Sequence, residues 1–174
     1  MRKLSMEELG RKSVEDFKLA DKKPLVVVMD HIRSMHNVGS VFRTADAFLI
    51  SGICLCGFTP QPPHRDIHKT ALGATDSVDW LYYENTVDAV LALKERGYKV
   101  LAIEQTEGSI MLDAYEHKHV PTAFVFGNEV DGVSDEVIQV CDGVIEIPQW
   151  GMKHSLNISV AAAVVLWEFV RKED

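Results

Sequence analysis

Apolar residues fall along this chain in two kinds of stretch. Five are short and nearly unbroken: PLVVVMD (24–30), ICLCGF (53–58), YKVLAIE (98–104), AFVF (123–126) and VIEI (144–147). Runs of this length with little polar alternation are expected of strands covered on both faces of a parallel sheet. Between them the period lengthens. In NVGSVFRTADAFLI (37–50) Asn37 can cap a helix whose core-facing stripe is Val41, Phe42, Ala45, Phe48 and Leu49. VDAVLALKERG (87–97) predicts a helix capped by Thr86 and ended by Gly97, DEVIQVC (135–141) a short one capped by Ser134, and residues 67–72 another short piece. Residues 112–119 (LDAYEHKH) predict a poorly ordered or short helical connection. Met6, Leu9, Val14 and Phe17 recur near a helical period and predict an amphipathic lead-in helix over 5–20. Five strands alternating with four or five helices make an α/β fold, a mostly parallel sheet with helices on both faces.

The C-terminal stretch IEIPQWGMKHSLNISVAAAVVL (145–166) organises the rest. A strand stops at Pro148, a loop follows, and a helix begins at Ser155 or Asn157, both good caps. That helix is apolar on every face for two turns, so something beyond its own domain must cover one side, and a second subunit is the economical candidate.

Composition narrows the class. The chain has 174 residues, 47% of them hydrophobic, which suits a single domain over 1–174 with 1–23 as a lead-in segment. No run is long enough for a bilayer span and the N-terminus has no signal-peptide core, so a soluble cytoplasmic protein is expected. Cys54, Cys56 and Cys141 form neither a disulfide set nor a metal pattern, and buried reduced thiols are expected, with Cys54 and Cys56 on one side of a strand. Net charge is −8, but unevenly spread: residues 1–73 carry +3 and residues 74–174 carry −11. One face can therefore meet phosphates although the whole is acidic.

The candidate chemistry lies in the loops at the strands' carboxyl ends, where ligands bind parallel sheets. The exits IEQTEG, FGNEVDG and PQWGMKHSLN face one another, with Ile147 and Leu156 as apolar walls and Gly127 and Asn128 letting the backbone approach a ligand. There is no GxGxxG and no Walker loop, and the pocket suits a flat adenine with a short amino-acid tail. On a helical wheel Arg43 lies roughly 160° from the middle of its helix's apolar stripe, with small Ser40 and Ala47 beside it, so it points away from the core.

NVGSVFRTA (37–45), FVFGNEVDGVS (124–134) and IEIPQWGMKHSLNISVAAAV (145–164) together resemble, in order and spacing, the three motifs of the SpoU-type (TrmH-like) RNA methyltransferases of the SPOUT superfamily. KTALGATDSV (69–78) is similar to the family's segment between the first two. The resemblance runs from about residue 24 to the end. It implies a C-terminal deep trefoil knot, a homodimer, and transfer of the methyl group of S-adenosylmethionine to a ribose 2′-hydroxyl of tRNA or rRNA. It implies cofactor contacts at Ile103, Gly127, Ile147, Ser155 and Leu156, and catalytic or positioning roles for Asn37, Arg43, Glu129, Ser155 and Asn157. With RNA as substrate, Arg33, Arg65, Lys69 and Lys153 are the candidates for phosphate contact. No metal is implied. Trp150 and Lys153 depart from the family's usual loop, and Trp150 can stack on a base or wall the pocket. Two rivals remain: an RNA- or cofactor-binding protein without catalysis, and a flavodoxin-like nucleotide-binding domain.

Overall fold

The structure is a computed structural model and describes residues 1–5 and 7–173. In chain order its elements are α1 (Val14–Leu19), β1 (Lys23–Asp30), α2 (Met35–Ala47), β2 (Ile50–Cys56), α3 (Arg65–Ala71), α4 (Ala74–Ser77), β3 (Trp80–Tyr83), α5 (Thr86–Glu95), β4 (Lys99–Ile103), β5 (Ile110–Met111), β6 (Thr122–Phe126), α6 (Asp135–Val140), β7 (Gly143–Glu146) and α7 (Ile158–Glu173). The strands form one sheet in the order β3-β2-β1-β6-β4-β7-β5, every pair parallel.

The expected burial on both faces follows from β1. Leu25, Val27 and Met29 point into a core shared with Phe42, Ile67, Ala162 and Phe169, while Val26 and Val28 point into a second core with Val90, Leu93 and Val137. Helices α2, α3 and α7 thus cover one face and α5 and α6 the other, each closing side chains worth about 1.5–3 kcal/mol apiece on burial. Cys54 and Cys56 share the second core as expected; burial pushes the Cys54 thiol up to about 11 and that of Cys56 higher still.

Several local expectations are corrected. The lead-in helix shrinks to α1: Gly10 adopts φ +55°, and a capping box between Ser13 and Asp16 starts the helix only at Val14. Met6 lies outside the described residues. Ser34, not Asn37, caps α2, and Asn85, not Thr86, caps α5. Ser134 sits at the N-cap of α6 without a side-chain bond, its amide donating instead to Asp30. Of the two readings for residues 112–119 the short helix is excluded, since 112–114 form turns and 115–118 have no regular structure, and β3 and β5 were not expected at all. The first is a half-exposed edge strand of four residues, WLYY, and the second has two exposed residues, IM, so each apolar run is too short to stand out. Helix α7 starts at Ile158, capped by Asn157, whose Oδ1 accepts from the Ser159 amide at 2.9 Å. Its own domain covers one side of it, in line with the sequence: Ala162, Val165, Leu166 and Phe169 are buried, whereas Val160, Val164 and Trp167 are exposed.

Candidate active site

Strands β1 and β6 are neighbours, and from them the chain order departs in opposite directions across the sheet. A crevice at the carboxyl ends is expected at such a switch point. The loop leaving β1 meets the loop leaving β6 there: the Glu129 carboxylate accepts from the amides of Arg33 (3.1 Å) and Ser34 (3.4 Å) and from Asn37 Nδ2 (3.1 Å). Glu129 is thus an anion at the N-terminus of α2, where free amides and the helix dipole favour negative charge. Burial raises its carboxyl, but the bonds from Arg33, its own amide, Asn37 and Ser34 outweigh that and hold it below the usual glutamate range.

The chain of bonds continues. Asn157 Nδ2 donates to Asn37 Oδ1 at 3.2 Å, and Asn157 Oδ1 in turn accepts from Ser159. Asn37 lies inside the first turn of α2, behind the Ser34 cap, and its side-chain amide bridges a residue 92 positions on and another 120 positions on. The result ties the N-terminus of α2 to that of α7 through two amides, each donating one way and accepting the other.

Beside this bridge, where β4, β6 and β7 end, lies a cleft of ≈ 650 Å³. All five residues expected at the cofactor, Ile103, Gly127, Ile147, Ser155 and Leu156, line it, as do Glu129 and Asn157. Four carboxylates (Glu104, Glu129, Asp131 and Asp135) line it too, and no lysine or arginine does. Such a lining repels phosphates and attracts a cation. Gly127 also plays a part beyond the one expected. A Cβ there would stand 2.1 Å from the Gly132 carbonyl carbon and the Val133 nitrogen, so the bare glycine lets the 127–133 loop fold upon itself.

Two residues build the cleft in ways the sequence did not announce: Asn128 was expected only as a backbone position near a ligand, and Glu104 was not singled out. Asn128 is buried; its Nδ2 donates to the His31 carbonyl and its Oδ1 accepts from Val130 and Asp131, while its backbone pairs both ways with Gly132. Glu104 accepts from the Val133 amide at 3.1 Å and reaches it only because Gly132 has no side chain in the way. An acid closing an apolar strand and an Asn four residues before a Gly were the only traces, and both are common in loops.

The remaining site candidates lie elsewhere. Arg43 is exposed and lines a separate groove with Arg11 and Lys12 between α1 and α2, away from the cleft. Arg33 is exposed at the mouth, 4.0 Å from Asp131. Arg65 and Lys69 lie on α3, Lys69 paired with Asp66 at 2.7 Å, and Lys153 is exposed on the loop before α7. Among the described residues no cluster of His, Cys, Asp and Glu could hold a metal ion, and no helix is long and apolar enough to cross a membrane.

The strand order differs from the flavodoxin-like order 2-1-3-4-5. Solved structures agree with another fold: that of an AdoMet-bound rRNA methyltransferase from Sinorhizobium meliloti is similar with a TM-score of 0.81 and 29% identity, over 87% of this chain and 57% of that one. The tRNA (guanosine(18)-2′-O)-methyltransferase of Thermus thermophilus is 34% identical over 95% of this chain and 84% of its own length. The 23S rRNA (guanosine-2′-O-)-methyltransferase RlmB of Vibrio parahaemolyticus is 31% identical over 95% of this chain, which spans 66% of that relative's length. Residues 24–167 match the SpoU rRNA Methylase family, and with that match over most of its length the chain belongs to this family.

Proposed function

We propose that the protein transfers a methyl group from S-adenosylmethionine to a ribose 2′-hydroxyl of tRNA or rRNA. The observation that carries this reading is the cleft: acidic, apolar-walled and joined directly to the Glu129–Asn37–Asn157 bridge. The cofactor bears two positive charges, on the sulfonium and the α-ammonium, and its adenine is flat and apolar-faced. Carboxylates without a lysine or arginine suit the first, and Ile103, Ile147 and Leu156 suit the second. When bound, the cofactor supplies an activated methyl on a sulfonium. Relatives named as guanosine 2′-O-methyltransferases support the reaction class.

What the chain's residues would contribute is position. Both Glu129 oxygens already accept hydrogen bonds and its pKa is lowered, so it is a poor base and a good anchor for Asn37. Asn37 and Asn157, held in line, would orient the ribose, Ser155 would border both cofactor and ribose, and holding reactants in near-attack geometry is worth several kcal/mol. Arg43 would pair with the adjacent RNA phosphate, since a guanidinium with a pKa above about 12 is a poor base. Arg33, Arg65, Lys69 and Lys153 would hold phosphates further out.

The same reading includes a homodimer and a C-terminal knot. Val160, Val164 and Trp167 make an exposed stripe on α7 at helical spacing, with Leu156 exposed before it, and an isologous pair of such stripes would bury both. Arg43 does not line the cleft of its own chain, and dimerisation would bring it to RNA held at the partner's cleft. For the knot, β7 lies between β4 and β5, so the 104–109 connection spans the end from which β7 exits, and Gln105 in it donates to the His154 carbonyl at 2.9 Å. The RNA substrate implies a cytoplasmic location.

The test is transfer of radiolabel from S-adenosylmethionine to tRNA and rRNA from a strain deleted for the gene, with Arg43→Ala alongside. Label recovered as a 2′-O-methylnucleoside in one pool, absent with the variant although cofactor affinity is kept, is the expected result. Cofactor binding with no label in either pool would favour a binding protein without catalysis.

A further inference from the structure

An aromatic shelf projects beside the cleft, and the site as described does not use it. Phe58 is 56% exposed in the turn that leaves β2, and Tyr82 of the edge strand β3 is 42% exposed next to it. His31 meets the Phe58 ring edge-on at 4.8 Å between centroids. Two exposed rings and a half-buried third on one rim need a reason, because a phenylalanine held in water forgoes about 1.5–3 kcal/mol of burial.

The shelf is built, not a loose loop end. Gly57 has φ +60°, and its amide donates to the Tyr83 carbonyl (3.0 Å) while its carbonyl accepts from Tyr82 Oη (3.1 Å). Thr59, buried behind the turn, donates to the Met29 carbonyl and accepts from the Ile32 amide, both at 3.0 Å. His31 takes φ +55°, which is strained for a residue with a Cβ. It is held there by Asn128 on its carbonyl and by the buried Asp30 carboxylate on its Nδ1 at 2.8 Å, so that its ring lies over Gly57, where any Cβ would be 2.2 Å from Nε2. Asp30 itself also accepts from Thr86 Oγ1 and the Ser134 amide.

The same residues connect the shelf to the cleft. Asn128, which grips His31, lines it, and Arg33, two residues on, is exposed and gives its amide to Glu129. Aromatic faces beside an exposed arginine at the mouth of a ribose site fit one occupant: an unpaired nucleobase neighbouring the target nucleotide, stacked while its phosphate meets Arg33.

We infer that Phe58, with His31 and Tyr82, is a stacking platform for a flanking base of the RNA substrate. This rests on the proposed RNA methyltransferase reading and adds to it a determinant outside the cofactor cleft. Stacking accepts every base, so the platform selects for unpaired RNA rather than for sequence.

The test uses the full chain with S-adenosylmethionine, titrated by anisotropy against fluorescein-labelled oligoadenylate of about 12 nucleotides. Methyl transfer to unmodified tRNA and rRNA is measured in parallel. Phe58→Ala should weaken oligonucleotide binding about ten-fold and raise KM for RNA by a similar factor, with kcat and cofactor affinity within about two-fold. Phe58→Trp should restore binding and Phe58→Leu should not. Wild-type affinity in Phe58→Leu would mean a plain apolar contact, and wild-type affinity in Phe58→Ala no contact at all; either overturns the proposal. Phe58-dependent binding without methyl transfer would keep the platform and sink the catalytic reading. Transfer with an unchanged KM in Phe58→Ala would do the reverse, and a wild-type chain that binds no RNA would overturn both.

Discussion

Residues 127–134 and residues 147–157 wall the same cleft, yet they are held in opposite ways. The first loop supplies its own bonds. Asn128 and Gly132 pair backbone to backbone at 3.0 and 2.9 Å, the Asn128 side chain makes three more bonds, and Val133 and Ser134 are anchored on Glu104 and Asp30. The second loop is exposed throughout 150–157, with Trp150 at 91% and Met152 at 84%. It is tied to the rest of the chain by Gln105 on the His154 carbonyl and by Asn157 on Asn37. One wall is therefore shaped by the fold, while the other leaves apolar surface to be covered by whatever enters, be it cofactor, RNA or a second subunit.

That difference can be broken most severely at Gly127. Gly127→Ala drives a Cβ into the backbone of Gly132 and Val133, and it is expected to cost about 3 kcal/mol of stability and to lower cofactor affinity more than about 100-fold. Denaturant melts and calorimetry measure the two, and normal cofactor binding in the variant would show that the first wall is not preformed. Asn37→Ala cuts the tie between the walls. Turnover should fall about 100-fold while cofactor affinity changes less than about ten-fold, as steady-state kinetics and titration together would show.

A smaller effect concerns acid. Because the folded Glu129 carboxyl is held below its ordinary value of about 4.3, its ionised form stabilises the loop above that pH. This contribution fades as pH falls through the lower folded value. Urea midpoints measured against pH should accordingly fall less steeply below about pH 4.5 in Glu129→Gln than in the wild type. An identical slope would mean that the bonds at the head of α2 do not depend on the charge. Smallest of all is Trp150→Ser in the open wall. Its unfolding free energy should stay within about 0.5 kcal/mol of the wild type, and a larger loss would mean that Trp150 is packed in solution.

How much of this was legible depended on whether the signal was local. The outward direction of Arg43 followed from a helical wheel, and the pairing of Cys54 with Cys56 on one face followed from the strand period. Cap assignments one to three residues off at Asn37 and Thr86 show the limit, since several polar residues precede each helix and only geometry chooses among them. Strands β3 and β5 escaped because WLYY and IM are runs of only four and two residues, too short for their periodicity to announce a strand. The residues expected at the cofactor came from resemblance to a family, and they line one cleft; Glu104 and the side-chain bonds of Asn128, which support that cleft, had no pattern to announce them.

The sequence alone determined what repeats within a few residues: the doubly buried strands, the stripe on α2, the layered class. Side-chain spacing on helix and strand is a property of the backbone and needs no distant partner. Only the tertiary structure decided the order of the seven strands, the fit of Gly127 against Gly132, and the meeting of Glu129, Asn37 and Asn157. Those contacts join residues as many as 120 positions apart, and their geometry exists only once the whole sheet has brought its carboxyl ends together.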